Sequence, residues 1–400
     1  MNTIYIYFGD MYIEYKIFDQ NNNQLEYEKL SNAEIYFDNH NFASANKAID
    51  WFNEKITKFT DKYQKGLRII FTCSTMFLFL LDENLNQIGK GYTPHDALIP
   101  KINSQDLIAA KKINNILNIT VFPSFKLKET PIKAYSFTTL KGYFAIKLIN
   151  KNIIDIVDAS STGLLDFKTS KFSPKLLKYV NRENIICPEI YKKLEWYDIK
   201  LNNYDCKVNF GIPNTVLGLN VLKEKNVAIL SANRTFGIRL LVDKPIQNLL
   251  EEQYCYETLD NKYVYGTVSS NGGNNIFIAC SQLNISIKDI DNFDLSECTF
   301  IEEEINFFEK ANFRKFSTKF LEFDFDLDLL YSVIIQFKNK LKFALEKMQK
   351  SLGTKIKIIA SGAIFDSKYI QSVLINEFKE QITFRDKNQI FINDLKKFIT

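Results

Sequence analysis

The 400-residue chain exceeds the length at which one hydrophobic core usually keeps growing, so two domains are expected. Hydrophobic residues at 46% and charged residues at 24% suit an ordinary globular protein, and a formal charge of +4 from 51 basic and 47 acidic residues, with no long basic run, argues against nucleic acid as a partner. Six scattered cysteines without a CxxC, together with only His40 and His95, exclude a zinc constellation, and the absence of a signal pattern or a membrane-length apolar run leaves a reducing cytoplasm as the expected home, with no membrane partner.

Alternating β-branched and aromatic residues predict strands at 3–8 and 12–18, pinched together at Phe8-Gly9-Asp10. Apolar residues at helical spacing predict a helix over 44–59, and strands follow at 67–72 and 76–81. Helices are expected at 104–117 and 173–180, around a less regular middle rich in Lys, Phe and Ile. The strand pattern resumes from 208, and 226–231 with 236–242 predict a hairpin across Ala232-Asn233-Arg234. A long amphipathic helix over 326–351 should end near Gly353 and lead into a strand at 355–361. Each half thus holds hairpin strands plus covering helices, so one kind of unit is expected twice, as 1–217 and 218–400, with a hinge near 215–225 and no repeat of residue identity. Asn-rich loops such as NNNQ and SSNGGNN read as compositional bias.

The stretch DIVDASSTGLLDFKTSKFSPKLL (155–177) resembles the FGGY carbohydrate kinase family, which carries D-x-S-x-A-S-x-T-x-L-x-D ahead of a basic turn, an aromatic and a helix. Asp155, Ala159, Ser160, Thr162, Leu164 and Asp166 fall on that pattern, and Val157 stands where the family has a serine. A second stretch, 345–378, resembles the adenosine-binding segment, with Ser361-Gly362-Ala363 on its G-G-A turn, one residue inserted after Ala363, and Tyr369 and Gln371 near its aromatic and Gln positions. GIPNTVLGLN (211–220) and ILSANRTFGIRL (229–240) stand in the order and spacing of the catalytic G-x-G-D segment and the second phosphate hairpin. The resemblance implies an α/β fold of two actin-like (ribonuclease H-like) domains flanking a central cleft, with the sugar on the side of 1–217 and the nucleotide on the side of 218–400. The family's final small-residue helix has no clear counterpart in FINDLKKFIT.

Phosphoryl transfer from ATP to a sugar hydroxyl needs backbone donors around the phosphates, a charge-balanced metal ion and a carboxylate to take the hydroxyl proton. The first phosphate hairpin of the family reads D-x-G-T-T and closes with a pair like Phe18-Asp19; here Gly9 keeps the glycine, Tyr7 takes the place of the metal-orienting aspartate, and Asp10-Met11 replace the threonines. Asp10 puts negative charge where phosphate should sit, or else is a plain turn residue. At the sugar side the resemblance places Ser74 and Met76 where the family has Gln and His, Pro94 for a Trp, Asp96 on the retained aspartate and Leu98 for an Arg. His95 reads as a surface histidine. Asn214 occupies the position of the catalytic Asp, and an amide has no basicity at neutral pH; losing a general base costs about a hundredfold to ten-thousandfold in rate. Asp205, at the start of the same strand, lies too far from the cleft to replace it. In the second hairpin Thr235 can donate to a phosphate, Arg234 can pair with one and Gly237 keeps the turn glycine, the alternative being a polar turn with no ligand. Gly362-Ala363 lets a base approach the backbone, or serves packing alone.

Two further readings stay open beside the expected one, a degenerate homologue that keeps the ATP and sugar cleft without efficient transfer. One is an active sugar or polyol kinase of xylulose, gluconate or glycerol type, using displaced residues with ATP and Mg2+. The other is an actin-like scaffold with a homodimer or protein partner. No metal ligands are assigned, and the sugar is not specified by the sequence.

Overall fold

The computed structural model describes residues 1–9, 12–31, 35–38, 42–75, 77–93, 98, 104–115, 123–222, 224–233, 235–247, 249, 253–269, 272–301 and 326–385. The chain falls into two compact units, the first comprising Met1–Asn115, Thr120–Leu217 and Glu257–Asn261, the second Gly218–Tyr256 and Lys262–Thr400.

The first unit begins with β1 (Asn2–Phe8), β2 (Tyr12–Phe18) and β3 (Gln24–Ser31), followed by helix α1 (Ala45–Tyr63) and β4 (Leu67–Cys73). Further along come α2 (Leu140–Ile149), the short α3 (Ile156–Ser161), β5 (Tyr197–Leu201), β6 (Tyr204–Asn209) and α4 (Asn214–Leu222). The sheet runs β5-β6-β4-β1-β2-β3, with β1 antiparallel to β2 and parallel to β4. β1 is buried along its whole length, which explains its continuous apolar run. Ser44 caps α1 by accepting from the Lys47 N–H, and Phe52, Ile56 and Phe59 face the sheet at helical spacing. Phe8, Phe71 and Phe144 of α2 meet with centroids 5.0 Å (Phe8–Phe144) and 4.5 Å (Phe71–Phe144) apart. Burying each such ring contributes on the order of 2–3 kcal/mol.

Two elements depart from the sequence expectation. β3 reads as polar, because it lies at the end of the sheet and keeps Glu26 and Glu28 for Lys62 and Lys55 of α1, at 2.7 Å each. Asp19 sets up the turn into it by accepting from the Asn21 and Asn23 N–H groups. In α2 every residue from Leu140 to Ile146 is buried, so no apolar stripe exists to betray the helix.

The second unit repeats the plan. Its strands are β7 (Val227–Ala232), β8 (Phe236–Val242), β9 (Gln253–Glu257), β10 (Tyr263–Ser269), β11 (Lys357–Ser361) and β12 (Ile382–Phe384), in the order β9-β10-β8-β7-β11-β12. β7 is antiparallel to β8 and parallel to β11, as β1 is to β2 and β4. Helices α5 (Asn274–Gln282), α6 (Leu327–Leu352) and α7 (Lys368–Phe378) contribute Ile276, Leu330, Ile334, Phe337 and Leu374 to a core with Leu230, Ile238 and Ile358. Asp326 caps α6, and Gly353 in the left-handed region ends it where the sequence placed the stop. The same five-strand core is thus used twice, β6-β4-β1-β2-β3 and β12-β11-β7-β8-β10.

Candidate functional site

In the first unit the residues singled out at the first hairpin come together around Gly9. Its N–H donates to the Tyr12 carbonyl at 2.9 Å, closing the turn, and the Tyr36 hydroxyl donates to the Gly9 carbonyl. The Tyr7 ring lies over the glycine: a Cβ at Gly9 would sit 2.7 Å from Tyr7 Cε1. Tyr7 is only 5% exposed, its hydroxyl hydrogen-bonds Ser74 Oγ at 2.8 Å, and its ring meets Tyr12 edge to face at 5.4 Å. Ser74 is anchored in turn by its N–H on the Phe8 carbonyl. The turn is therefore surrounded by three tyrosines, and Tyr7 and Ser74, expected at different ligand roles, bond each other. Asp10, Met76 and Asp96, with Pro94 and His95, lie outside the described residues.

The segment of the expected catalytic position leaves the end of β6. Asn209 Oδ1 accepts from the Gly211 N–H, the Gly211 carbonyl accepts from Lys141 Nζ at 3.0 Å and from the Tyr191 hydroxyl at 3.3 Å, and the Ile212 carbonyl accepts from Thr72 Oγ1 at 2.7 Å. Asn214 opens α4 as its first residue. Asp205 stands at the far end of β6, paired in register with Lys200.

In the second unit three segments distant in sequence meet at one end of β7 and β11. The Asn233 N–H donates to the Thr235 carbonyl to form the hairpin turn, and Asn233 Oδ1 accepts from the Ala363 N–H at 2.9 Å. Gly362 has φ +137, and a Cβ there would stand 2.0 Å from the Ala232 carbonyl oxygen, so only glycine permits this crossing. Gly273 packs against the Asn233 carbonyl and Gly272 against Phe236. Thr235 is exposed beside this junction, Ser361 is buried below it, and Gly237 lies under the Arg239 guanidinium. Arg234 lies outside the described residues. Gln371 donates to the Phe365 carbonyl, and Asp291 accepts from the Lys368 and Tyr369 N–H groups and the Ser367 hydroxyl, which fixes the start of α7. Burial works against the Asp291 charge, but those donors outweigh it and hold the carboxyl below its ordinary value.

Sequence reasoning overlooked Gly272-Gly273, Tyr36 and Asp291. A glycine doublet directly before an apolar helical run, NNIFIAC, was the available signal for the first; the other two act through partners too far along the chain to leave one. Among the described residues no group of three or more His, Cys, Asp or Glu is placed to hold a metal ion, and no helix is long and apolar enough to cross a membrane.

No family model matches the chain. It is 26% identical to gluconokinase of Bacillus subtilis over 161 residues, a match that covers 36% of this chain and about 30% of that relative's length. Among solved structures it is similar to a ligand-bound xylulose kinase from Lactobacillus acidophilus, with a TM-score of 0.79 at 18% identity, covering 99% of this chain and 88% of that one. A gluconate kinase from the same organism matches with a TM-score of 0.78 at 18% identity, over 100% of this chain and 90% of that one. With the doubled five-strand core, these likenesses settle the architecture: the chain carries the two-unit, actin-like fold of the FGGY carbohydrate kinases.

Proposed function

We propose that this chain is a carbohydrate-kinase homologue with an impaired phosphoryl-transfer site, retaining the sugar and nucleotide fold while lacking efficient catalysis. The observation that carries this reading is the first hairpin: the Tyr7 ring covers Gly9 and its hydroxyl is bonded to Ser74, where the family resemblance expects a carboxylate that orients a metal. A phenol that stays protonated at neutral pH cannot balance a divalent cation as a carboxylate does, so these residues do not fit Mg2+ at that position. Asn214 adds a second loss, since an amide takes no proton from a sugar hydroxyl.

The nucleotide side reads differently. The Gly362–Ala363 turn, held by Asn233 and packed on the Ala232 backbone, keeps the small residues that the family resemblance expects where adenosine binds. This supports retained binding of ATP or ADP, and it favours the second reading, an active kinase for xylulose, gluconate or a polyol such as glycerol, to the extent that displaced residues supply the missing carboxylates.

A coupled ADP-release assay with MgATP and a panel of gluconate, xylulose and glycerol separates the two. The impaired reading expects a melting-temperature rise with the nucleotide and no sugar-dependent turnover. Turnover comparable to ordinary sugar kinases overturns it. The double variant Tyr7→Asp, Asn214→Asp should then create measurable sugar-dependent ADP release from an inactive parent. If neither nucleotide nor sugar shifts the melting temperature at millimolar concentration, the scaffold reading replaces both.

A further inference from the structure

Under the Gly211 turn of the first unit lies a buried group of side chains that the kinase reading leaves unused. Lys141 of α2, Asp155 and Asp158 at the start of α3, and Cys73 at the end of β4 are each at most 3% exposed. Lys141 Nζ stands 2.6 Å from Asp155 Oδ2, 3.4 Å from Asp158 Oδ2 and 3.0 Å from the Gly211 carbonyl. Asp155 also accepts from the Val157 and Asp158 N–H groups, both 3.0 Å from Oδ1. Asp158 has weaker company: Thr139 Oγ1 at 3.5 Å, Cys73 Sγ at 3.9 Å and the carboxyl of Asp155.

Charge balance decides who holds a proton. Burial, reinforced by Asp158, keeps Cys73 a thiol, and burial keeps Tyr191 a phenol, its hydroxyl directed at the Phe210 and Gly211 carbonyls. Burial opposes the Lys141 charge, yet Asp155 and Asp158 outweigh it and hold the ammonium. Among the described residues no second cation is within salt-bridge distance of either aspartate. One ammonium facing two carboxyls is neutral only while one carboxyl stays protonated, and burial, then the neighbouring Asp155, push Asp158 up to about 8.

We infer that this group is a proton-linked latch on the Gly211 turn, closed while Asp158 carries its proton and Lys141 spans Asp155 and the Gly211 carbonyl, and loosened when that proton passes to solvent. Deprotonation leaves a second full charge in a dry site, and its attraction for the ammonium exceeds that of a neutral carbonyl. Lys141 then moves toward Asp158, and the Gly211 carbonyl keeps the Tyr191 hydroxyl alone. Lys141 is thus a positioning residue for the Gly211–Asn214 backbone, whether or not phosphoryl transfer occurs.

The folded chain holds the Asp158 proton from its ordinary value of 3.8 up to about 8, so stability falls as pH rises through that window. Denaturant unfolding of the full chain from about pH 6 to about pH 8 should show the folding constant dropping by up to about tenfold per pH unit, a slope that Asp158→Asn removes because an amide mimics the neutral acid. Hydrogen exchange in the peptide 208–217 should accelerate with pH by more than the intrinsic base-catalysed factor, using 236–242 as the control. Equal slopes in the two proteins, or exchange at 208–217 that tracks the control, overturns the latch. Should the variant not fold, difference infrared spectra of the unaltered chain decide: a buried carboxylic-acid carbonyl band must be present at about pH 6 and fade as pH rises through about 8, and its absence rejects the proposal.

Discussion

The two hairpin turns that open the two units have the same place in the same topology and are filled in opposite ways. Around Gly9 the neighbours are rings: Tyr7 above the turn, Tyr12 beside it and Tyr36 on its carbonyl. Around Asn233 the neighbours are small: Gly273 packs on its carbonyl, Gly362 on the backbone of the adjoining Ala232, and Ala363 donates to its side chain. The first turn is closed by buried aromatic rings, whereas the second is closed by backbone packed on backbone, which only glycines at 273 and 362 allow. The contrast teaches that one strand core used twice can carry differently built turns, because the pairing that sets topology is separate from the turns that join the strands.

The comparison can be broken or sharpened experimentally. The largest effect is expected at Lys141, since Lys141→Met removes from the core the ammonium that Asp155 and Asp158 share, and urea unfolding should report a loss of about 3–5 kcal/mol. Much of that loss should return in the Lys141→Met, Asp155→Asn double variant. Next comes Gly362→Val, which puts a β-branched side chain at φ +137 against Ala232; about 2–3 kcal/mol should be lost, together with any nucleotide-induced rise in melting temperature. A Gly362→Val protein that still responds fully to MgATP contradicts the nucleotide role of this turn.

Smaller effects test the polar links. Asn233→Ala strands the Ala363 N–H and should cost about 1–2 kcal/mol, whereas Tyr7→Phe forfeits one hydrogen bond to Ser74 and should cost about 1 kcal/mol without creating turnover. A gain of sugar-dependent ADP release in Tyr7→Phe would mean that the hydroxyl, and not the missing carboxylate, blocks the site. The smallest effect belongs to Asp291, whose depressed carboxyl contributes stability that is present above its ordinary 3.8 and lost as pH falls through the lower folded value. The stability curves of Asp291→Asn and the unaltered chain should therefore run parallel above 3.8 and differ in slope only as pH falls from there through the lower folded value, opposite in sign to the behaviour expected at Asp158.

Local signals made much of this legible. The run over 3–8, the stripe of Phe52, Ile56 and Phe59, and the stop at Gly353 all depend on periodicity or capping within a few residues, and each element formed where the pattern put it. Gly9 and Gly362 were recognisable as turn glycines for the same reason. The expectation that Tyr7 stands where the family resemblance has a carboxylate needed only a position counted back from Phe18-Asp19.

What only the tertiary structure decided lies in contacts between residues far apart in the chain. β3 is a strand because β2 pairs with it and α1 supplies its cations, and α2 is a helix wrapped so fully that no apolar face stands out. The bonds Tyr7–Ser74 and Asn233–Ala363 join residues 67 and 130 positions apart, and the latch gathers Cys73, Lys141 and Asp158 from three elements and Gly211 from a turn. Periodicity reports which face of an element is buried; which side chain meets which is set by strand order and packing, and in this protein that is what walls the Gly9 turn with rings and the Asn233 turn with glycines.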